Sequence, residues 1–267
     1  MEATTNVIYI TSSCNLACDY CYETSDRPNK TISYDEIDAF FKYIENHSSP
    51  FSHVSIFGGE PLLYPELVDY IIDKVIGEYN YKHYSISLFT NGILLLDDNV
   101  FNWFINTCKR GNISPTISYD GSHSFRRKDK LGNCVNNKIE EVMRRLDQVN
   151  DFLYSISFTL HKNNYDTCVE DIIEILETFS PYKISISINC KEIADKYGDY
   201  KMATELLRPY MIEIYKRYHI PICEYTCSLC KKCIPNNKNI YAVPSYIGGI
   251  ESPKFTQKDF NLWSYIS

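Results

Sequence analysis

The sequence predicts an α/β fold: an incomplete (β/α)6 TIM-type barrel, followed by a small C-terminal extension that is stabilised by a bound metal. Three observations support this prediction. Strand-like and helix-like patterns alternate six times along the chain. The clearest strand-like segments are apolar on one face only. Seven of the eleven cysteines fall in two short clusters, one after the first strand and one after the last helix.

Six segments have the composition and alternation of β-strands. They are residues 6–11, 53–57, 84–89, 115–119, 154–160 and 183–189. Apolar residues at helical spacing lie between them, and a last helical pattern ends near Tyr218. Strand–helix units in series form a parallel sheet with crossover helices.

The alternation within the strands indicates the shape of this sheet. In the sixth strand, Ile184 and Ile186 alternate with Ser185 and Ser187. A doubly wound sheet is apolar on both faces, and a complete barrel fills its lumen with branched apolar side chains. We therefore expect an apolar face beneath the helices and a Ser/Thr/Asn face around a hydrated lumen. Half-exposed antiparallel strands would give the same alternation and remain an alternative.

Composition excludes several classes of protein. The 267 residues are 44% hydrophobic and 23% charged, which is typical of a globular protein with a sizeable core. The net charge is -7 without a stripe of cations, so we expect no nucleic-acid partner. No apolar stretch approaches the roughly 20 residues that span a bilayer, and residues 1–5 do not begin a signal peptide. We expect a cytoplasmic protein with no membrane partner.

The first cysteine cluster follows the first strand and contains Cys14, Cys18 and Cys21. An odd number of cysteines without an export signal favours metal ligands or buried thiols over disulfides. Three thiolates can hold an iron–sulfur cube and leave its fourth iron open for chemistry. A structural zinc site is the alternative, but neither His47 nor His53 lies at the usual spacing for a fourth ligand.

The spacing of these cysteines, with Tyr20 before the last of them, resembles the signature of the radical S-adenosylmethionine (SAM) superfamily. The resemblance covers about residues 6–190 and implies an incomplete (β/α)6 barrel. It further implies a [4Fe-4S] cluster on the three cysteines, reductive cleavage of SAM to a 5'-deoxyadenosyl radical, and hydrogen abstraction from a substrate. In such a protein Tyr20 would contact SAM.

Later strand ends carry further elements of the same resemblance. Glycines at a strand end allow the backbone to approach a ligand closely. In the superfamily, a Gly-Gly-Glu-Pro element binds the amino group of SAM, and here Gly58, Gly59 and Glu60 belong to such an element. By strand parity, side chains at the ends of the third and fourth strands should face the lumen. The SAM contacts implied here are Asn91, Ser118 and Asp120.

The sequence departs from the peptide-modifying members of the superfamily at one position. In those members, an arginine downstream of the serine binds the SAM carboxylate. In this sequence the residue twelve positions after Ser118 is Lys130. Arg126 and Arg127 lie nearby. We favour Arg127 for the contact, and Arg126, Lys130 or a solvated loop without this role remain alternatives.

The second cluster, Cys223, Cys227, Cys230 and Cys233, can saturate a tetrahedral metal or bind an iron–sulfur cluster. It resembles SPASM and twitch extensions, although the complete seven-cysteine SPASM pattern is absent. We expect one auxiliary [4Fe-4S] cluster, with zinc as the alternative. The expected domains are therefore a radical SAM partial barrel at 1–219 and the cysteine-rich extension at 220–267, which is too short for a core of its own.

The resemblance implies a radical SAM enzyme that modifies a peptide or protein side chain, similar to peptide maturases and sulfatase maturases. It would receive electrons from a donor such as flavodoxin or ferredoxin. Two alternatives remain open. One is a twitch-type dehydrogenase of a small molecule, and the other is a nonenzymatic metal-binding redox module.

Overall fold

The computed structural model describes residues 4–21, 30–47, 52–77, 84–198, 200–220 and 222–224. It also describes the short segments 240–242, 247–249 and 263–265. The first six strands are β1 (Thr4–Tyr9), β2 (Ser52–Phe57), β3 (Tyr84–Thr90), β4 (Thr116–Ser118), β5 (Ser155–Leu160) and β6 (Lys183–Ile188). Four shorter strands follow: β7 (Ile222–Glu224), β8 (Ile240–Ala242), β9 (Ile247–Gly249) and β10 (Trp263–Tyr265). All six predicted strands are present.

Helices connect the strands. They are α1 (Tyr34–His47), α2 (Pro65–Gly77), α3 (Asp98–Gly111), α4 (Asn136–Asp147), α5 (Cys168–Thr178), α6 (Cys190–Tyr197) and α7 (Tyr200–Tyr218). A capping box begins α1, since the Ser33 amide donates to the Glu36 carboxylate and the Glu36 amide donates to the Ser33 hydroxyl. The sequence predicted α7 but not the short α6 before it. None of the described helices combines the length and apolar character needed to cross a bilayer.

The strands β1 to β6 lie in chain order and pair only in parallel. This confirms the incomplete parallel barrel and rules out the antiparallel alternative. The sheet extends one strand further at each end, with β7 beside β6 and β9 beside β1, while β8 and β10 form a separate antiparallel pair. The proposed boundary between residues 219 and 220 stays a prediction, although strands on its C-terminal side join the main sheet.

The two faces of the sheet differ as expected on β3, β5 and β6. Ile156, Phe158 and Ile184 are fully buried in the cluster that packs beneath the helices. On the opposite face, the ring nitrogens of His53 lie 2.6 and 3.0 Å from the hydroxyls of Ser85 and Ser87. The lumen is therefore lined by hydroxyl groups along much of its wall.

Aromatic side chains line another part of the lumen. Tyr9, Phe57 and Phe89 share the face of the hydroxyl residues by strand parity. Their rings contact edge to face in succession, with centroids 5.3 and 5.1 Å apart. The expectation of a polar lumen thus needs a correction at the C-terminal ends of β1 to β3, where apolar residues occupy both faces.

Candidate functional site

The loop that carries Cys14, Cys18 and Cys21 follows β1 and is held by backbone hydrogen bonds on two sides. On one side, the amides of Gly59 and Glu60 donate to the carbonyls of Thr11 and Ser13 at 2.7 and 2.8 Å. On the other, the amides of Ala17 and Asp19 donate to the carbonyls of residues 128 and 126 at 2.8 and 2.9 Å. The conformation of the cysteine loop is therefore set by two neighbouring segments of the rim.

Gly58 and Gly59 are required by this arrangement. A Cβ on Gly58 would lie 2.6 Å from the Thr11 carbonyl oxygen, and one on Gly59 would lie 2.2 Å from that of Ser13. Gly58 also has φ +149°, a backbone conformation that residues other than glycine rarely adopt. In this structure the backbone of these glycines therefore lies close to the backbone of the cysteine loop.

The three cysteines differ in exposure. Cys14 and Cys18 are half-buried and Cys21 is exposed. The Cys14 sulfur accepts hydrogen bonds from the Leu16 amide at 3.4 Å and from the Asn91 amide group at 3.7 Å. Burial raises the pKa of Cys14 to about 12 and also raises that of Cys18. Metal binding to these thiols must therefore release their protons.

The Glu60 carboxylate is fully buried and hydrogen-bonded within the chain. It accepts from the Leu62 amide at 3.0 Å, the Thr90 hydroxyl at 2.7 Å and the Asn91 amide at 2.8 Å. Burial raises the pKa of Glu60 to about 7. The Asn91 side chain in turn donates to Asn15 Oδ1 at 2.8 Å, so Glu60 holds Asn91 against the cysteine loop.

A second buried network lies on the other side of the loop. Asp120, which follows β4, accepts from the Thr159 amide at 2.8 Å and from Arg127 Nη2 at 2.9 Å. Its second oxygen lies 2.9 Å from Arg127 Nε and accepts a hydrogen bond from the Tyr20 hydroxyl. The Tyr20 ring stacks on His161 with centroids 5.4 Å apart. Tyr20, Asp120 and Arg127 therefore form one contact network beside the cysteines.

The chain matches the family model described as "Radical SAM superfamily" over residues 8–176. It belongs to the radical SAM superfamily. This confirms the resemblance drawn from the cysteine spacing.

Sequence relatives of this radical SAM chain include a GTP 3',8-cyclase of Clostridium perfringens (strain 13 / Type A), 34% identical over 189 residues. That match covers 68% of this chain and 50% of the relative. A probable GTP 3',8-cyclase of Methanococcus maripaludis is 41% identical over 93 residues, 32% of this chain and 28% of that protein. The chain therefore spans half or less of the length of these relatives.

Solved structures share the fold at low sequence identity. "Native anSMEcpe with bound AdoMet" has a TM-score of 0.66 at 18% identity and covers 86% of this chain and 65% of its own. SuiB of Streptococcus suis bound to precursor peptide SuiA has a TM-score of 0.62 at 17% identity. The match covers 85% of this chain and 50% of the SuiB chain. These likenesses concern the fold of the radical SAM barrel.

The donor set of the cysteine loop fits the [4Fe-4S] cluster that the family implies. Within the described part of the chain, only His123, Asp171 and Glu174 place three potential ligand atoms within 4.8 Å of one another. The three loop sulfurs thus spread wider than the ligands of one tetrahedral zinc, which lie about 3.8 Å apart at a Zn–S bond of about 2.3 Å. Three thiols suit a cubane with one open iron, whereas a structural zinc takes four ligands.

The three candidate cations for a SAM carboxylate have different surroundings. The Arg127 side chain is 7% exposed and paired with Asp120. Arg126 pairs with Glu192 at 2.6 Å. Lys130 is exposed, and the described part of the chain gives it no ion pair. Ser118 is half-buried at the end of β4 and lies outside the network of Asp120.

The auxiliary site cannot be compared with its prediction, because Cys227, Cys230, Cys233 and the side chain of Cys223 lie outside the described residues. Two roles were not apparent from the sequence. Asn15, inside the cysteine motif, receives the Asn91 side chain, and the Thr159 amide anchors Asp120. The position of Asn15 between two ligands is the one signal that could have indicated its role.

Proposed function

We propose that this chain is a radical SAM enzyme that reductively cleaves SAM at a [4Fe-4S] cluster and abstracts a hydrogen atom from a peptide or protein side chain. One observation carries the proposal. A loop with three thiols, held by backbone hydrogen bonds, lies at the carboxyl ends of an open parallel barrel with a partly polar lumen, where barrel enzymes place their sites.

In this proposal each part of the site has a separate task. Cys14, Cys18 and Cys21 hold the cluster, and the backbone contacts of Gly59 keep their loop in place. When bound, the cluster and SAM supply an electron and a 5'-deoxyadenosyl radical. The aromatic rings on β1 to β3 exclude water from one wall of the lumen, and the hydroxyl groups on β4 to β6 receive the polar groups of the substrate.

The lumen supports a peptide over a nucleoside triphosphate. A triphosphate is bound by several cations or metal ions. Among the described strand residues of the lumen face, Lys183 is the only cation, and Arg126 and Arg127 are already paired with carboxylates. The hydroxyl groups of the lumen can instead form hydrogen bonds with the amide groups of a peptide. The structural neighbours include SuiB bound to a precursor peptide and anSMEcpe bound to AdoMet and a peptide.

A GTP-cyclase activity is the second candidate, because the sequence relatives carry that name. The two proposals separate in one experiment. Incubation of the reduced enzyme with SAM and GTP should give no cyclised nucleotide and no increase in 5'-deoxyadenosine. A GTP-dependent increase would replace the peptide proposal with the nucleotide one.

The enzymatic proposal itself is tested by anaerobic reconstitution with iron and sulfide, followed by dithionite and SAM. We expect 5'-deoxyadenosine by mass spectrometry, and its loss in Cys18→Ala. Cys134→Ala, which removes a half-buried thiol outside both clusters, is the control and should retain the product. A filled cluster that yields no 5'-deoxyadenosine would overturn the proposal and favour the nonenzymatic module.

A further inference from the structure

We propose that Asp120 and Arg127 are positioning residues that hold the cysteine loop through Tyr20, and that Arg127 does not contact the SAM carboxylate. The consequence for catalysis rests on the proposed function. The positioning itself rests on contacts within the chain.

The ion pair between Asp120 and Arg127 is a fixed part of the barrel rim. The side chains are 1% and 7% exposed, and each carboxylate oxygen lies 2.9 Å from a guanidinium nitrogen. The Thr159 amide also donates to Asp120 at 2.8 Å, which offsets part of the cost of burying the carboxylate. Asp120 is thereby attached to both β4 and β5.

Tyr20 connects this fixed pair to the cysteines. Its hydroxyl donates to Asp120, and its ring stacks on His161, which is fully buried. His161 is itself held, because Nδ1 accepts from the Asn163 amide at 3.2 Å and Nε2 lies 3.1 Å from the Ser124 hydroxyl. The ring of Tyr20 therefore has two anchors on the sheet.

The position of Tyr20 in the chain transmits this anchoring to two ligands. Only Asp19 separates it from Cys18, and Cys21 follows it directly. The Cys21 amide also donates to the Cys18 carbonyl at 3.0 Å, which closes a tight turn around Tyr20. Since the backbone between the two cysteines has little freedom, the orientation of Tyr20 sets the orientation of both thiols.

The burial of Arg127 argues against a direct contact with SAM. Its Nε is sealed from solvent and makes no well-aligned hydrogen bond, although it lies 2.9 Å from the carboxylate. A ligand carboxylate would have to open the ion pair to reach this atom.

The first test needs neither cluster nor SAM. The full chain is purified without metal, reduced under anaerobic conditions and treated with iodoacetamide, and alkylation of each cysteine is followed by peptide mass spectrometry. Tyr20→Phe should speed the alkylation of Cys18 about tenfold, since it removes the hydrogen bond that ties the loop to a charged group. Arg127→Lys keeps the positive charge but loses the two-point contact with Asp120, so it should speed the alkylation by a smaller factor.

Tyr154→Phe is the matched control. Tyr154 also donates a hydrogen bond to an aspartate, Asp147, at 2.9 Å, but it lies immediately before β5, at the end of the strand opposite the rim. This variant should leave alkylation of Cys18 unchanged. Unchanged alkylation in Tyr20→Phe would overturn the proposal, and this variant still decides the question if Arg127→Lys does not fold.

The second test separates positioning from ligand binding. In reconstituted protein, SAM affinity is measured by the change in the electron paramagnetic resonance signal of the reduced cluster. Arg127→Lys should lower the iron content and keep the Kd for SAM within about threefold, because the arginine is not at the ligand. A large increase in Kd with unchanged alkylation would assign Arg127 to SAM. Absence of SAM cleavage in every variant would count against the proposed function alone.

Discussion

At the scale of single residues, Gly59 is a position where even a methyl group would collide with the cysteine loop. A methyl group there would lie 2.2 Å from the Ser13 carbonyl oxygen, a backbone atom that cannot rotate away as a side chain could. We expect Gly59→Ala to lower the free energy of unfolding by about 1–3 kcal/mol and to impair iron loading, because the cysteine loop must shift.

Urea unfolding and iron analysis measure the effect of Gly59→Ala. Gly77→Ala, at the end of α2, is the matched control, since a Cβ there meets no described atom within 4 Å. It should leave iron loading unchanged. Equal iron loading in both variants would show that the loop does not depend on the close approach.

Another prediction at this scale concerns pH. His123 Nδ1 lies 3.0 Å from Asp171 Oδ1, and this hydrogen bond raises the pKa of His123, with Glu174 and Glu170 acting in the same direction. The pair therefore stabilises the fold below the unfolded pKa of about 6.5, and the contribution is lost as the pH rises through the raised value. A proton NMR titration should place the pKa of His123 above 6.5 and move it down in Asp171→Asn. A value at or below 6.5 in the unmodified protein would contradict the pairing.

At the scale of elements, the strands separate substitutions by face. Ile156 is fully buried under the helices, so Ile156→Ala should cost about 2–5 kcal/mol of unfolding free energy. Its neighbour Ser157 points into the lumen, and Ser157→Ala should stay within about 0.5 kcal/mol. Urea unfolding of both variants checks the assignment of the faces. Similar costs at the two positions would mean that the lumen is packed as tightly as the core.

The same strands show what the sequence could and could not predict. Alternation identified the faces of β5 and β6 because serine and isoleucine differ strongly in polarity. It could not do so on β1 and β2, where Tyr9 and Phe57 face the lumen but are as apolar as the residues beneath the helices. The motif located the cysteine loop, whereas the contact of Tyr20 with Asp120 joins residues 100 positions apart and has no local signal.

At the scale of the whole molecule, nine of the eleven cysteines fall into three groups by their position. Cys108 and Cys168 are buried in the core and need no metal to explain them. Cys14, Cys18 and Cys21 gather at the rim of the barrel. The four cysteines from residue 223 onward follow the strand–helix series in the sequence. Strands β7 and β9 of the same C-terminal segment pair with the two edges of the main sheet.

This division predicts the metal content of the protein. If both clusters bind [4Fe-4S], the reconstituted chain holds about eight irons, and Cys230→Ala should leave about four. SAM cleavage should persist in Cys230→Ala, because Cys14, Cys18 and Cys21 are intact and their loop is held by contacts within the barrel. Elemental analysis together with a 5'-deoxyadenosine assay measures both quantities, and Cys134→Ala controls for the loss of any one thiol. About four irons with one zinc in the unmodified chain would assign the second site to zinc, and loss of SAM cleavage in Cys230→Ala would show that the two sites depend on each other.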